Sequence, residues 1–172
     1  MSAAPFVRDE ADVSTSTTPN GLQLSADLAL ATRFYSVLGQ INSARRASAS
    51  NPQLEEFLAT QFSSQFKLAV YGTLAPGEHN HHMLAELGGT WSTGLVTHGD
   101  FHWLGWGAAM GFPAIRWRQQ GPPVAVHLLE SEQLPLHWSR LDAFEGPAYR
   151  RILVPLFAED TFVTVANLYE AL

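Results

Sequence analysis

Five short apolar runs, KLAVYG (Lys67–Gly72), FPAIRW (Phe112–Trp117), PVAVHLLE (Pro123–Glu130), YRRILVPLF (Tyr149–Phe157) and FVTVANLYEA (Phe162–Ala171), decide the fold. Each is rich in Val, Ile, Leu and aromatics and has ordinary strand length, and Gly and Pro break up the first four, so each reads as a β-strand. The helical patterns among them are short, one over roughly Asn80 to Leu87 and one over Leu134 to Phe144. Irregularly spaced strands with few helices predict an α+β domain, a small mixed or antiparallel β-barrel with flanking helices, and argue against a doubly wound parallel sheet.

The sequence ahead of Lys67 has a different texture. Residues 1–21 are rich in Ser, Thr, Pro and Ala without any apolar period, and are expected to form a flexible tail. Leu30, Phe34, Leu38 and Ile41 then mark one face of a helix ending near Arg45 and Arg46, where basic residues suit the dipole. Asn51-Pro52 is a cap followed by proline at the first helical position, and Leu54, Phe57 and Leu58 are the expected buried face of a second helix. Residues 22–66 are therefore expected to be a helical hairpin in front of a domain at 67–172. The hairpin's apolar face leaves both intramolecular packing and a homo-oligomer through residues 22–66 open.

Composition narrows the function. The chain has 172 residues, 46% of them hydrophobic and 15% charged, with net charge −6 and Lys67 as its single lysine. It lacks the basic surface that a phosphate backbone demands, so no nucleic-acid partner is expected. Cysteine is absent, which removes disulfides, zinc-thiolate sites and a cysteine nucleophile. No apolar stretch approaches a membrane span and the N-terminus lacks a secretory pattern, so the expectation is a cytoplasmic protein without a membrane partner.

Candidate chemistry lies in two segments. Leu134, Trp138 and Leu141 form an apolar stripe whose next position is Glu145, about 40° around the helix from Leu141 at about 100° per residue. A carboxylate on that face is desolvated, which raises its pKa toward the range of a general base. Equally, Glu145 could fray outward at the helix end, where Gly146 caps and Pro147 stops the helix. The second segment is the strand end Tyr71-Gly72-Thr73-Leu74. It reads either as an ordinary turn or as a loop whose backbone amides meet an anion or oxyanion. His79, His81 and His82 do not project to one side of a strand or a helix, so no metal is expected there.

Taken in order, VYGTL, PGxxNH (Pro76–His81), GFPAI (Gly111–Ile115), LDxFEG (Leu141–Gly146), Tyr149-Arg150 and AxxY (Ala166–Tyr169) resemble the γ-glutamyl cyclotransferase-like family over residues 67–172. The resemblance implies a small β-barrel enzyme that cyclises a γ-glutamyl amide or γ-glutamylamine to 5-oxoproline and releases an amine, without a cofactor. It places the acid/base role on Glu145 and substrate binding on Tyr71, Gly72, Thr73 and Leu74. Tyr149 is a candidate site-lining hydroxyl. Arg150 either holds the substrate's α-carboxylate, pairs with Glu145, or is merely solvated on the opposite strand face.

The central strand Val124–Leu129 departs from the family's glycine-containing pattern, and the leaving amine stays unassigned. His98–Met110, with Trp103 and Trp106, reads as a loop over the barrel mouth or as exterior aromatic packing. The alternative to an enzyme is a non-catalytic small-molecule-binding or regulatory protein that keeps the same barrel pocket.

Overall fold

The structure, a computed structural model, describes residues 19–105, 108 and 111–172, with side chains described from Leu28 onward. The expected tail up to residue 18 lies outside the described residues. Two compact units divide between Tyr35 and Ser36. Helix α1 (Pro19–Arg46) begins at a proline and ends, as expected, on Arg45 and Arg46. Within the first unit, Thr32 donates its hydroxyl to the Leu28 carbonyl at 2.8 Å, and the Phe34 and Tyr35 rings meet edge-on.

The second unit is a closed barrel with flanking helices. Its elements are α2 (Pro52–Phe62), β1 (Lys67–Val70), α3 (His82–Ala85), β2 (Thr90–His102), β3 (Ala114–Trp117), β4 (Pro123–Glu130), α4 (Leu134–Glu145), β5 (Tyr149–Ala158) and β6 (Thr161–Ala171). The strands run in the order β3-β2-β4-β1-β6-β5, and a β2–β5 pairing closes β2, β4, β1, β6 and β5 into a five-stranded barrel with β3 as an outer flap on β2. Among the described residues, only β1 and β6 pair in parallel; the other pairs are antiparallel.

Strand alternation sorts the core into two clusters. Ala69, Leu95, Val126, Ile152 and Leu168, one from each barrel strand, belong to the cluster that fills the interior. Leu68 and Val70, pointing the other way from β1, pack with Leu84, Leu87, Leu134 and Leu141 beneath α3 and α4. The barrel seam is thin, since β2 and β5 pair only at Val96 and Phe157, supplemented by the Thr97 hydroxyl donating to the Pro155 carbonyl. Beyond it, fully buried Asn42 of α1 takes over the strand's work. Its Nδ2 donates to the Leu153 carbonyl at 2.7 Å and its Oδ1 accepts the Leu153 N–H at 2.8 Å, satisfying a buried strand edge that would otherwise be costly.

Three expectations are corrected. Residues 90–97, not recognised as strand, belong with 98–102 to β2, the longest strand at 13 residues. Its Gly94 adopts φ +75° where the β2–β4 register shifts between Ser92 and Leu95, a bulge that reads as a turn in sequence. The apolar faces of the helices are narrower than expected: Leu38, Ile41 and Leu58 are fully buried, whereas Leu30 and Phe57 are exposed. Residues 19–21 are helical, so α1 starts inside the segment expected to be tail. Asn51 does cap α2, accepting the Leu54 N–H. Among the described residues, no helix is long and apolar enough to cross a membrane.

Candidate active site

Helix α4 delivers Glu145 to the interior. Leu134, Leu141 and Glu145 are its buried residues, spaced so that the last continues the stripe of the first two. Gly146, at φ +77°, turns the chain away and donates its N–H to the Asp142 carbonyl, so the helix holds its geometry through Glu145 instead of fraying. Glu145 is 8% exposed, and desolvation pushes its pKa up to about 7.

One turn earlier, Asp142 has the opposite fate. Burial works to raise its pKa, but Arg151 donates Nε and Nη2 to the two carboxylate oxygens at 2.9 and 3.1 Å, and the Tyr169 hydroxyl donates at 2.6 Å. These donors outweigh the burial and hold Asp142 below the ordinary carboxylate range. Two acids on one helix are thus driven apart, one fixed as an anion and one poised to exchange a proton near neutrality, a division of labour that suits acid/base chemistry.

Strand β1 delivers the second component. Beyond Val70 the chain turns through Tyr71-Gly72-Thr73-Leu74, where Ala75 N–H bonds the Gly72 carbonyl and Asn80 N–H bonds the Thr73 carbonyl, both at 2.9 Å. The Asn80 side chain also donates to the Thr73 hydroxyl. Among the described residues, these loop bonds use carbonyls, and none uses the amides of Gly72, Thr73 or Leu74. Tyr71 is a brace: its hydroxyl accepts the Ile115 N–H at 3.1 Å and donates to the Tyr169 carbonyl at 2.9 Å, tying β3 to β6. Burial pushes its phenol far up, so it stays neutral.

Glu145 and the Tyr71–Leu74 loop line one pocket of about 50 Å³ together with Tyr149. At roughly 10–15 Å³ of such volume per water-sized group, it has room for a head group only. Phe112, Pro113 and Tyr169 complete the wall; their segments figured in the family resemblance, but nothing local in the sequence singles them out as lining. Burial, then the bond to Asp142, raises the Tyr169 phenol as well.

Arg150 is not brought to this pocket. Alternation on β5 buries Tyr149 and turns Arg150 to the opposite face, where its Nη1 donates to the Tyr149 carbonyl at 3.0 Å and its Nη2 to the Ser48 hydroxyl at 3.1 Å. Of the histidines, His81 sets its Nδ1 against the Leu74 carbonyl and its ring beside Trp91, and His82 sets its Nδ1 against the His79 carbonyl. Among the described residues, no group of His, Asp and Glu is arranged to hold a metal ion.

The segment at 98–110 divides between two roles. His98–His102 is strand, Trp103 is 70% exposed, and Trp106 lies outside the described residues. Gly105, at φ +75°, lies so close to Tyr149 that a β-carbon there would overlap the tyrosine hydroxyl. Gly105→Val is therefore expected to displace the loop from Tyr149 and to raise KM for a pocket ligand severalfold, while urea unfolding shows a loss of about 1–3 kcal/mol from strain and overpacking. An unchanged KM would show that this contact does not shape the pocket.

Residues 68–171 match the family model described as gamma-glutamyl cyclotransferase, AIG2-like. The chain belongs to that family, and the match covers the stretch that carries the pocket. Among solved structures, YkqA from Bacillus subtilis is 25% identical, with a TM-score of 0.46, over 61% of this chain and 35% of that one. An AIG2-like protein from Mus musculus is 23% identical, with a TM-score of 0.44, over 61% of this chain and 76% of that one. Comparison with curated proteins finds no match.

Proposed function

We propose that this chain is a γ-glutamyl cyclotransferase, converting a small-molecule γ-glutamyl amide or γ-glutamylamine to 5-oxoproline and a free amine, with the chemistry carried by residues 67–172. The observation that carries this reading is the desolvated Glu145, with its pKa near 7, sharing a head-group-sized pocket with the Tyr71–Leu74 loop.

In a γ-glutamyl amide the nucleophile is the substrate's own α-amine, so the protein need supply no Ser or Cys. It must fold the glutamyl chain until that nitrogen reaches the γ-carbonyl carbon, and orientation supplies much of the rate. Glu145, as carboxylate, takes one proton from the α-ammonium, and the amine's lone pair forms the new C–N bond while the carbonyl oxygen becomes an oxyanion. Amides of Gly72, Thr73 and Leu74 are the donors for that charge. Protonated Glu145 then gives its proton to the departing nitrogen as the old C–N bond breaks, and the ring nitrogen gives up its second proton to the freed amine, which leaves as an ammonium. The carboxylate is regenerated and no water is consumed. Tyr149 is a wall of this pocket and orients the glutamyl group.

The test is 5-oxoproline release from a panel of γ-glutamyl amides, run across pH. Glu145 must start as an anion, so kcat/KM is expected to fall about tenfold per pH unit below about 7 and to level off above it. A profile flat between pH 5 and 8, or no product from any substrate, would overturn the assignment.

A further inference from the structure

The candidate catalytic pocket must hold an anion without a cation. Among the described residues that line it, none is Lys, Arg or His, yet every γ-glutamyl group carries an α-carboxylate, and its α-ammonium belongs beside Glu145. A carboxylate taken out of water without an ion pair depends on hydrogen bonds from neutral donors. Two of the pocket's hydroxyls are already committed, since Tyr71 donates to the Tyr169 carbonyl and Tyr169 donates to Asp142.

Thr73 is differently placed. It is buried and lines the pocket, and its Oγ1 accepts a bond from Nδ2 of the buried Asn80 at 3.1 Å. A hydroxyl has one proton; with Asn80 donating to the oxygen, that proton points away from Asn80, and among the described residues no acceptor takes it. The rest of the loop is pinned in the same sense, because the Gly72, Thr73 and Leu74 carbonyls meet the Ala75 N–H, the Asn80 N–H and the His81 Nδ1 in turn. Asn80 does not itself line the pocket. Its backbone N–H and its side-chain amide both act on Thr73, and its carbonyl accepts the Met83 N–H at the start of α3.

We infer that Asn80 is a positioning residue of the cyclotransferase site, holding the Thr73 hydroxyl as a donor to the α-carboxylate of the glutamyl group. This deepens the reading above and rests on it. A buried donor without an acceptor is costly, and an arriving carboxylate satisfies it with a charge-assisted bond, so the arrangement favours ligands that bring one. Asparagine suits the position because its amide nitrogen only donates. An aspartate of the same shape only accepts; it would take the Thr73 proton for itself and leave a lone pair facing the substrate's charge.

NMR titration of the full chain with two probes that differ in that carboxylate tests the inference: 5-oxoproline, the product of the proposed reaction, and 2-pyrrolidinone, the same ring without it. 5-Oxoproline is expected to bind at least about tenfold more tightly, as a hydrogen bond to a charged group implies. Thr73→Val should weaken 5-oxoproline at least about fivefold and leave 2-pyrrolidinone within about twofold, whereas Thr73→Ser, which keeps the hydroxyl, should retain the binding. The amide spectrum reports the fold of each variant, and Thr73→Ala carries the same expectation if valine disturbs the loop.

Two Asn80 variants separate orientation from mere support. Asn80→Ala loses the bond to Thr73, and Asn80→Asp keeps one with its direction reversed. Orientation predicts that Asn80→Asp binds 5-oxoproline about threefold or more weakly than Asn80→Ala, and that adding Thr73→Val closes this gap. Support alone predicts the opposite order, and a gap that survives Thr73→Val is charge repulsion; either result overturns the inference, as does equal binding of the two probes. The 5-oxoproline release assay judges the cyclotransferase reading separately. Release by the wild type alongside any of those results leaves that reading standing and removes only the Asn80–Thr73 donor, whereas no release from any substrate overturns both.

Discussion

On the proposed reading, replacing Glu145 with Gln is expected to lower 5-oxoproline release by roughly 10² to 10⁴-fold, the usual range for loss of a general acid–base group, and at the same time to stabilise the protein at neutral and alkaline pH. The two effects share one cause. Burial raises the folded-state pKa of Glu145 from 4.5 to about 7. Below about pH 4.5 the acid is neutral in both folded and unfolded chains and has no pH-dependent cost. As pH rises from about 4.5 to about 7 the unfolded chain ionises while the folded chain keeps its proton, and stability is lost, by on the order of 3 kcal/mol in all, with no further loss above about 7. A glutamine carries no such charge, so wild type and variant should unfold alike near pH 4, separate progressively up to about pH 7 and stay apart at pH 8, with the variant the more stable. Thermal unfolding across that range, run beside the activity assay, is the measurement. A variant that is more stable at pH 8 yet equally active would show a buried acid without a role in proton transfer. A stability difference independent of pH would show that desolvation is not what perturbs this group.

How much of this site could be read beforehand depends on the range of the interaction that builds each part. Glu145 was legible because its placement follows from a helical stripe three turns long, and Gly146 marks the stop. The Tyr71–Leu74 loop was legible as a strand end. Tyr169 became a lining residue only when β1 paired with β6, Leu68 opposite Asn167 across a long stretch of chain, and Phe112 and Pro113 when β3 folded back on β2; no local period carries that information. Strand β2 was obscured by its own glycines. Gly94 supplies the bulge, and Gly99 sits where a β-carbon would come within 2.7 Å of the Arg116 carbonyl and the Ile115 side chain, so residues that look like punctuation are what let β3 pack against the barrel. Arg150 was read as a pocket residue because it neighbours Tyr149 in sequence, and strand alternation is the reason neighbours do not share a face.

Arg46 carries the second large effect, because it reaches from the last turn of α1 to Glu170, a carboxylate 1% exposed in β6. Its Nε and Nη2 hold the two carboxylate oxygens, and the Trp117 N–H of β3 donates to Oε2 at 3.0 Å. Arg46→Met keeps an apolar stem but leaves Glu170 with a single backbone donor, and removing one partner of a buried pair costs more than the pair contributes. The expected loss is about 2–4 kcal/mol by urea unfolding, toward the lower part of the usual range because the Arg46 side chain is 38% exposed and water can replace part of what it supplied. Adding Glu170→Gln removes the stranded charge while keeping an acceptor for Trp117, so the double variant should recover most of that loss. A single variant within about 0.5 kcal/mol of wild type, or a double variant no better than the single, would show that solvent already compensates Glu170. The pair matters for the site because Glu170 adjoins Tyr169, the residue whose hydroxyl fixes Asp142 and whose ring walls the candidate catalytic pocket. Helix α1 therefore braces from outside the barrel the same strand that shapes the pocket within it.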